Sequence, residues 1–387
     1  MSRSIRNLAI LGSTGSIGCS TLEVVDSLPQ RLNVLALTAH QSCQELVAQA
    51  CRFRPRWAIA TDGSSAQRAD WSRLPDQTQL LVGIDGLRQV VTHPDVDVVV
   101  AAIVGSAGLT GAWHAVQSGK TLALANKETL VMAGPLVMAE AARCGATILP
   151  IDSEHSAVFQ ALQAGRREDL RRVVLTASGG PFREFTRQQL DQVTVDQALN
   201  HPTWLMGPKI TVDSATMMNK ALEIIEARWL FGLDPDQIQV VIHPQSVIHS
   251  LVEFRDGSVV AQLSPPDMKL PIQYALTYPE RVECPSDKFD WTEAFTWDLS
   301  PPDEQRFPAL TLGHEVARLG GTSGAVLNAA NEAAVEAFLA GQIRFTDIVP
   351  ACRAVLEHHH FDPSPSLDEL WKLDAWARRE ITTWTGI

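Results

Sequence analysis

The stretch Leu8-Ala9-Ile10-Leu11-Gly12-Ser13-Thr14-Gly15-Ser16-Ile17-Gly18 decides the fold, since an apolar run breaks into evenly spaced glycines and leads into the helical pattern Thr21-Leu22-Glu23-Val24-Val25. A strand, a glycine turn and a helix in that order make a nucleotide-binding unit. Glycines let backbone N–H groups approach a pyrophosphate at the helix N-terminus, where the helix dipole also favours anions. The spacing is GxxGxxG, a variant of the GxGxxG form, and Thr14 and Ser16 add hydroxyl donors. A tight glycine turn without a ligand has the same pattern, and the position directly after the first strand favours the nucleotide.

Outward from this turn, short β-rich runs alternate with helical stretches: Leu8–Leu11, Val34–Leu37, Trp57–Ala60, Val96–Val104, Thr121–Ala125 and Thr147–Ile151. Such alternation predicts βαβ units and a parallel, Rossmann-like α/β domain over 1–149. Longer, less regularly interleaved strands follow (Val173–Ala177, Gln239–Ile242, Val247–Phe254, Ser258–Leu263), which predicts a second, α+β domain over 150–277. The Pro-, Asp- and Trp-rich run 278–308 has little periodicity and is expected to be an extended connector. Ala325–Ala340, Phe345–His358 and Leu367–Thr382 are amphipathic at helical spacing, with Ser366 and Glu369 spaced as a capping box, so 309–387 is expected to be a C-terminal helical bundle.

With 387 residues, 45% hydrophobic and 20% charged, the composition is that of a globular protein of two or three domains. A formal charge of −12 argues against nucleic-acid binding, though a local pocket can still take an anion. Six scattered cysteines, with no CxxC pair or Cys/His array, suggest neither a disulfide framework nor structural zinc and fit a reducing cytoplasm. The N-terminus Met1-Ser2-Arg3-Ser4-Ile5-Arg6 leads into too few apolar residues for a signal peptide, and no run approaches the roughly 18 residues of a spanning helix. No membrane partner is expected.

Asp152-Ser153-Glu154 ends the strand Thr147–Ile151, and in extended backbone residues two apart point the same way, so two carboxylates should converge at a strand end where α/β ligand sites gather. Downstream, Asp213-Ser214-Ala215-Thr216 is expected to precede one helix running to about Phe231 with an apolar stripe of Leu222, Ile225 and Trp229. On it Asn219, Lys220 and Glu223 share a face. Carboxylates without nearby thiols make a hard-oxygen site suited to Mg²⁺ or Mn²⁺, and Asp152, Glu154 and Glu223 are the candidate ligands. A surface Lys220–Glu223 pair and a helix cap at Asp152-Ser153 are the plain alternatives. Thr176-Ala177-Ser178-Gly179-Gly180 ends another strand in small residues able to cradle a phosphate, with Ser214 at the helix start, Asn219 and Lys220 as helpers. His201 to Pro208, rich in Pro, Trp, Met and Gly, suits a lid near 198–208, with Trp204 as an apolar cover. His243 and His249 are expected to be core or supporting histidines.

The second strand should end in Asp or Glu for NAD, and here Leu37-Thr38-Ala39-His40-Gln41 offers no carboxylate. This favours NADP, although no Arg or Lys stands there for a 2′-phosphate.

Taken in order, Gly12–Gly18, Leu124–Glu128, Ile151–His155, Ala177–Gly180, His201–Trp204, Val212–Glu223 and Ile242–His249 closely resemble the 1-deoxy-D-xylulose 5-phosphate reductoisomerase family, across residues 7 to about 276 and on into the helical tail. The resemblance implies an NADPH- and divalent-metal-dependent conversion of 1-deoxy-D-xylulose 5-phosphate to 2-C-methyl-D-erythritol 4-phosphate in isoprenoid-precursor synthesis. It implies Mn²⁺ or Mg²⁺, with Co²⁺ a further option, on Asp152, Glu154 and Glu223, the carboxylates that the spacing also singles out. Substrate contacts would come from Lys127, Ser153, Glu154, Ser178, His201, Ser214, Asn219, Lys220 and Glu223. Cofactor contacts would come from Thr14, Gly15, Ser16, Ile17, Asn126, Glu128 and Gly207. Asn126, Lys127 and Glu128 enter through the resemblance alone, because a polar trio after a strand has no mechanism visible in its spacing.

In catalysis the resemblance implies Lys127 as a charge partner for the reacting oxygens, Glu154 as metal ligand and proton handler, and His201 as a third catalytic residue. A homodimer is implied, in contact through the long strands of the middle domain. The family often carries Gly-Lys-Asn or a similar triplet after the second strand, where this chain has His40-Gln41-Ser42, and Ser42 with Glu45 has the spacing of a capping box. Two rivals stand beside this expectation: another NADPH-dependent reductase, and a non-catalytic cofactor sensor. A thioester-forming semialdehyde dehydrogenase would need a cysteine in the second domain, yet none lies between Cys144 and Cys284. A sensor need not keep three separated carboxylates and Lys220.

Overall fold

The computed structural model describes residues 5–386; Met1–Ser4, the start of the stretch read for a leader, lie outside them. The chain divides into two compact units, one of residues up to Asn126 with Val137–Ser156 and Asp267–Asp287, the other of Lys127–Leu136, Ala157–Pro266 and the residues from Lys288 onward.

In the first unit β1 (Arg6–Leu11), β2 (Leu32–Ala39), β3 (Trp57–Ala60), β4 (Gln79–Val82), β5 (Val98–Ala101), β6 (Thr121–Leu124) and β7 (Thr147–Pro150) form a parallel sheet in the order β4-β3-β2-β1-β5-β6-β7. β3 and β5 are buried throughout and read as unbroken apolar runs, as strands covered on both faces do. Strand order reverses between β1 and β5, and at such a switch point the carboxyl ends of the strands open a ligand crevice. The expected strand Val96–Val104 shortens to β5. β4, a half-exposed edge strand, carries no pattern that marks it in the sequence.

The second unit holds a mixed sheet of β8 (Leu170–Ala177), β9 (Ile238–Ile242), β10 (Ile248–Phe254) and β11 (Val259–Leu263), ordered β11-β10-β8-β9 with only β8 and β9 parallel. Helices Pro208–Ala215, Met218–Phe231, Ala309–Leu319, Ser323–Leu339, Ile348–His358 and Leu367–Thr385 share one apolar core with this sheet, through Val173, Leu175, Leu222, Ile225, Leu327 and Ile381 among others. The Ser366–Glu369 capping box forms as expected.

Three local expectations are corrected. The helix expected after Thr216 is present as Met218–Phe231, but residues 208–215 before it form a helix of their own, and Met217 in a left-handed conformation (φ 63°, ψ 9°) separates the two. Thr216 braces the break, its hydroxyl accepting the Met218 N–H at 3.3 Å. Ser214 therefore lies in the last turn of Pro208–Ala215 and not at a helix start. Asp152 and Glu154 are not strand residues either: β7 stops at Pro150, and Glu154 stands in the first turn of the Ser153–Ala161 helix, where the Asp152 carbonyl accepts the Ser156 N–H at 2.8 Å. At Ser42 no side-chain cap forms, and Glu45 instead accepts from the Cys19 thiol at 3.7 Å.

Candidate active site

The predicted residues divide between the units. In the first, Gly12 follows β1 with φ +80°, and a Cβ there would stand 2.7 Å from the Ala102 carbonyl oxygen just past β5. A Cβ on Gly18 would stand 2.5 Å from Ser13. Both glycines let the turn fold tightly onto the switch point. Thr38, near the end of β2, braces it: the hydroxyl accepts the Gly12 N–H and the carbonyl accepts the Ser13 N–H, each at 2.8 Å. Gly15 is the N-cap of Ser16–Ser27 and brings no side-chain cap, so the first N–H groups of that helix face outward beside Thr14, Ser16 and Ile17. Asn126, at the end of β6, is buried and donates to the Gly105 carbonyl at 3.0 Å.

At the next strand end, Ser153 donates its hydroxyl to the Glu154 carboxylate. The fully buried His155 brings Nδ1 to 4.0 Å from Asp152 Oδ1. Asp152, Ser153 and Glu154 are each partly exposed, as ligand-binding groups must be.

In the second unit the sequence pattern becomes a buried cluster. Glu223 is wholly buried and Lys220 and Lys127 nearly so. Glu223 accepts from Asn219 at 2.6 Å, from Lys127 at 3.2 Å and from Lys220, while Lys127 also donates to the Asn219 side-chain oxygen Oδ1 at 2.8 Å. Glu223 thus takes donors from two ammonium groups and an amide, a concentration of charge that a bare apolar core does not hold. The alternative of a surface Lys220–Glu223 pair is excluded by this burial.

Beside β8, His201 Nε2 lies 3.1 Å from both Ser178 Oγ and Ser214 Oγ. Its Nδ1 accepts the Thr203 N–H at 3.1 Å and the Trp204 N–H at 2.9 Å. A nitrogen that accepts two N–H bonds carries no proton, so the neutral ring is protonated at Nε2 and donates toward the serines. Burial pushes the His201 imidazole below its ordinary range, consistent with this neutral form. Ser178 Oγ also accepts the Gly180 N–H at 3.1 Å, so the small-residue turn after β8 folds around its own hydroxyl. Residues 199–207 are irregular, with Leu205 97% exposed, and the loop ends at Gly207, the N-cap of Pro208–Ala215.

Within the second unit the structure thus brings Lys127, Asn219, Lys220 and Glu223 together, and separately Ser178, His201 and Ser214. Sequence reasoning does not single out Lys209, whose ammonium lies 2.8 Å from Glu128 and 2.9 Å from Asp213. The i,i+4 spacing of Lys209 and Asp213 is the one signal that marks it. Burial opposes the charge on Glu128, but Lys209, a backbone hydrogen bond and Lys127 together hold the carboxyl below its ordinary range. His243 is a supporting residue, as expected: its Nε2 accepts the Val247 and Ile248 N–H groups at 3.2 and 3.1 Å, and Nδ1 donates to the Asp298 carbonyl at 2.8 Å.

A glycine turn at the switch point of a parallel sheet, with a second α+β unit that buries lysines on a carboxylate, defines a class: nucleotide-dependent α/β enzymes acting on small anionic molecules. Family models sharpen it. The 1-deoxy-D-xylulose 5-phosphate reductoisomerase model matches residues 8–134, and two C-terminal domain models of the same enzyme match 148–231 and 263–380. The chain belongs to the 1-deoxy-D-xylulose 5-phosphate reductoisomerase family. It is 52% identical to the reductoisomerase of Heliobacterium modesticaldum, over 99% of this chain and 98% of that one. The Rhodopirellula baltica reductoisomerase is 49% identical over 97% and 94% of the two chains. Among solved structures, a DOX-P reductoisomerase in complex with NADPH, fosmidomycin and magnesium superposes with a TM-score of 0.92 at 43% identity, covering 99% of this chain and 98% of the other. The Zymomonas mobilis enzyme in complex with NADPH gives 0.92 at 41% identity, covering 99% of each chain.

Proposed function

We propose that this chain carries out the reaction of its family, the NADPH- and divalent-metal-dependent rearrangement and reduction of 1-deoxy-D-xylulose 5-phosphate to 2-C-methyl-D-erythritol 4-phosphate. The observation that carries this reading is the buried Lys127–Asn219–Lys220–Glu223 cluster. A stable core gains little from two lysines on one carboxylate, whereas a phosphorylated, chelating substrate needs both signs of charge close together.

The pyrophosphate of NADPH would lie on the uncapped end of Ser16–Ser27, with Thr14, Gly15, Ser16 and Ile17 around it and Asn126, Glu128 and Gly207 as further contacts. Asp152, Glu154 and Glu223 would hold the metal. The donor chemistry fits, since three carboxylates with no thiol make a hard-oxygen set for Mg²⁺ or Mn²⁺. When bound, the metal polarises the substrate's carbonyl and hydroxyl oxygens and NADPH supplies hydride. Ser178, Ser214, Asn219, Lys220 and the Nε2–H of His201 bind the phosphate end. Lys127 sets its ammonium against charge developing on the reacting oxygens, and Ser153 orients Glu154, which takes and returns a proton. Trp204 and the 198–208 lid exclude water from the aldehyde and hydride step.

We retain the division into a nucleotide domain (1–149), a catalytic domain (150–277), a connector (278–308) and a helical domain (309–387). The chain would pair as a homodimer across the four-stranded sheet, a reading supported by the edge position of β11 and the 54% exposure of Val259. The cytoplasm fits six free thiols, and among the described residues no helix is long and apolar enough to cross a membrane. The test is NADPH oxidation with 1-deoxy-D-xylulose 5-phosphate, with and without Mn²⁺. A metal-dependent loss of NADPH is expected, and no metal-dependent signal would sink the reading.

A further inference from the structure

Lys209 holds two carboxylates from distant parts of the second unit, and no role in the proposed chemistry uses it. Its side chain is 17% exposed, while those of Glu128 and Asp213 are 7% and 1% exposed. The second Asp213 oxygen accepts the Asn331 side-chain amide at 2.8 Å, from the Ser323–Leu339 helix. On that helix Glu332 pairs with Arg378, which also binds Asp374 at 2.8 Å. Burial would lower the charge of Lys209, but Asp213, Glu128 and Glu332 more than offset this and keep it an ammonium.

The neighbours of this cluster give it meaning. Glu128 follows Lys127, which grips Asn219 and Glu223 on the Met218–Phe231 helix. Asp213 precedes Ser214, whose hydroxyl lies 3.1 Å from His201 Nε2. Lys209 itself stands two residues after Gly207, the N-cap that starts its helix. Two successive residues, 127 and 128, are thus each bound to one of two successive helices, and Lys209 is the bond on the Pro208–Ala215 side. Apolar residues of similar volume would stabilise such a site as well or better, so stability alone does not account for an ion triad.

We propose that Lys209 is a positioning residue that ties the 127–128 segment to the Pro208–Ala215 helix, so that the dinucleotide contacts at Glu128 and Gly207 and the phosphate contacts at Ser214 and His201 respond to each other. This rests on the cofactor and phosphate assignments proposed above and adds a coupling between them. Binding at either end fixes the same helix, so each ligand tightens the other, and by linkage the two factors are equal.

The experiment measures NADPH affinity by fluorescence titration with and without saturating inorganic phosphate, and phosphate affinity with and without NADPH, in the full chain. In the wild type each ligand is expected to tighten the other by about 5-fold or more, the low end of ordinary coupling. Lys209→Met removes a cation that Glu128 and Asp213 share and is prone to misfold, so the decisive variant is Lys209→Met with Asp213→Asn, which also removes the more buried of the two carboxylate charges, checked by thermal melting. In it the coupling factor is expected to fall to 1 while each single-ligand affinity stays within about 3-fold, and Lys209→Arg is expected to restore part of the factor. A purely structural lysine would lower the melting temperature and leave the factor unchanged. A double variant with wild-type coupling, or a wild type whose two ligands bind independently, overturns the proposal. If the wild type binds no NADPH at all, the functional reading fails first, and this inference falls with it.

Discussion

Two helices begin at the candidate ligand sites, and they do so by opposite means. Ser16–Ser27 starts behind Gly15 with no side-chain cap, so what it offers is backbone: N–H groups and the positive end of the helix dipole. Met218–Phe231 starts behind the left-handed Met217 and offers side chains, Asn219, Lys220 and Glu223, already tied to Lys127. The first arrangement suits any pyrophosphate of fitting shape. The second holds opposite charges in a fixed geometry, which recognises one ligand. Backbone sites tolerate side-chain changes wherever the fold survives them, while side-chain sites fail at single atoms.

The largest expected effect lies in the side-chain site. Glu223→Gln removes a buried carboxylate to which both Lys127 and Lys220 donate. Breaking a buried pair costs about 3–5 kcal/mol, so a fall in melting temperature and loss of metal-dependent turnover are expected together. Near wild-type turnover with unchanged metal dependence would show that Glu223 holds no metal.

The backbone site predicts a sharper contrast between neighbouring glycines. Gly18→Ala sets a Cβ within 2.5 Å of Ser13 main-chain atoms that have no room to move. Overpacking of this kind costs about 1–3 kcal/mol or more, and NADPH affinity should fall with stability. Gly15→Ala meets only the Gly12 carbonyl at 3.4 Å and has an ordinary φ of −79°. It should keep the melting temperature, with only a small change in NADPH affinity. Equal losses at both positions would refute the close-approach account.

This contrast also explains what the sequence makes legible. A backbone requirement maps onto residue type, so the glycine turn, the apolar strands of a parallel sheet and the family pattern are visible in one dimension. Asn219, Lys220 and Glu223 are visible because helix spacing puts them on one face. Lys127 is not, because its contact with Glu223 joins residues 96 apart and leaves no local trace. Lys209 and Asp213 do have helix spacing, yet a helix is not expected there, because nothing in Thr216-Met217-Met218 announces a left-handed methionine. The carboxylates at 152 and 154 are found for a reason the fold does not use, since a helix turn and not a strand pleat holds Glu154.

A smaller effect is expected at Lys220→Ala. Hydrogen bonds to charged groups are worth about 1.5–3 kcal/mol, so KM for the phosphorylated substrate should rise roughly 10- to 100-fold with a smaller change in kcat. An unchanged KM would take Lys220 out of the phosphate site.

The smallest effect belongs to His201, where one side chain serves both kinds of site. Its Nε2–H faces Ser178 and Ser214, while its Nδ1 holds the backbone of Thr203 and Trp204. Burial lowers its pKa, so the folded loop prefers the neutral ring. That contribution is whole above the ordinary imidazole value of about 6.5 and is lost as the pH falls below it toward the lower value of the folded protein. Protonation puts a hydrogen on Nδ1, which can then no longer accept either N–H, so amide exchange at Thr203 and Trp204 should speed up with acid beyond its intrinsic trend. His201→Asn keeps a short acceptor near the Nδ1 position and should hold the loop without the pH response, while weakening phosphate binding because nothing replaces Nε2–H. His201→Gln reaches toward the serines but lacks that short acceptor, and should do the reverse. If both variants protect Thr203 and Trp204 equally, the loop is held by its prolines and not by the ring.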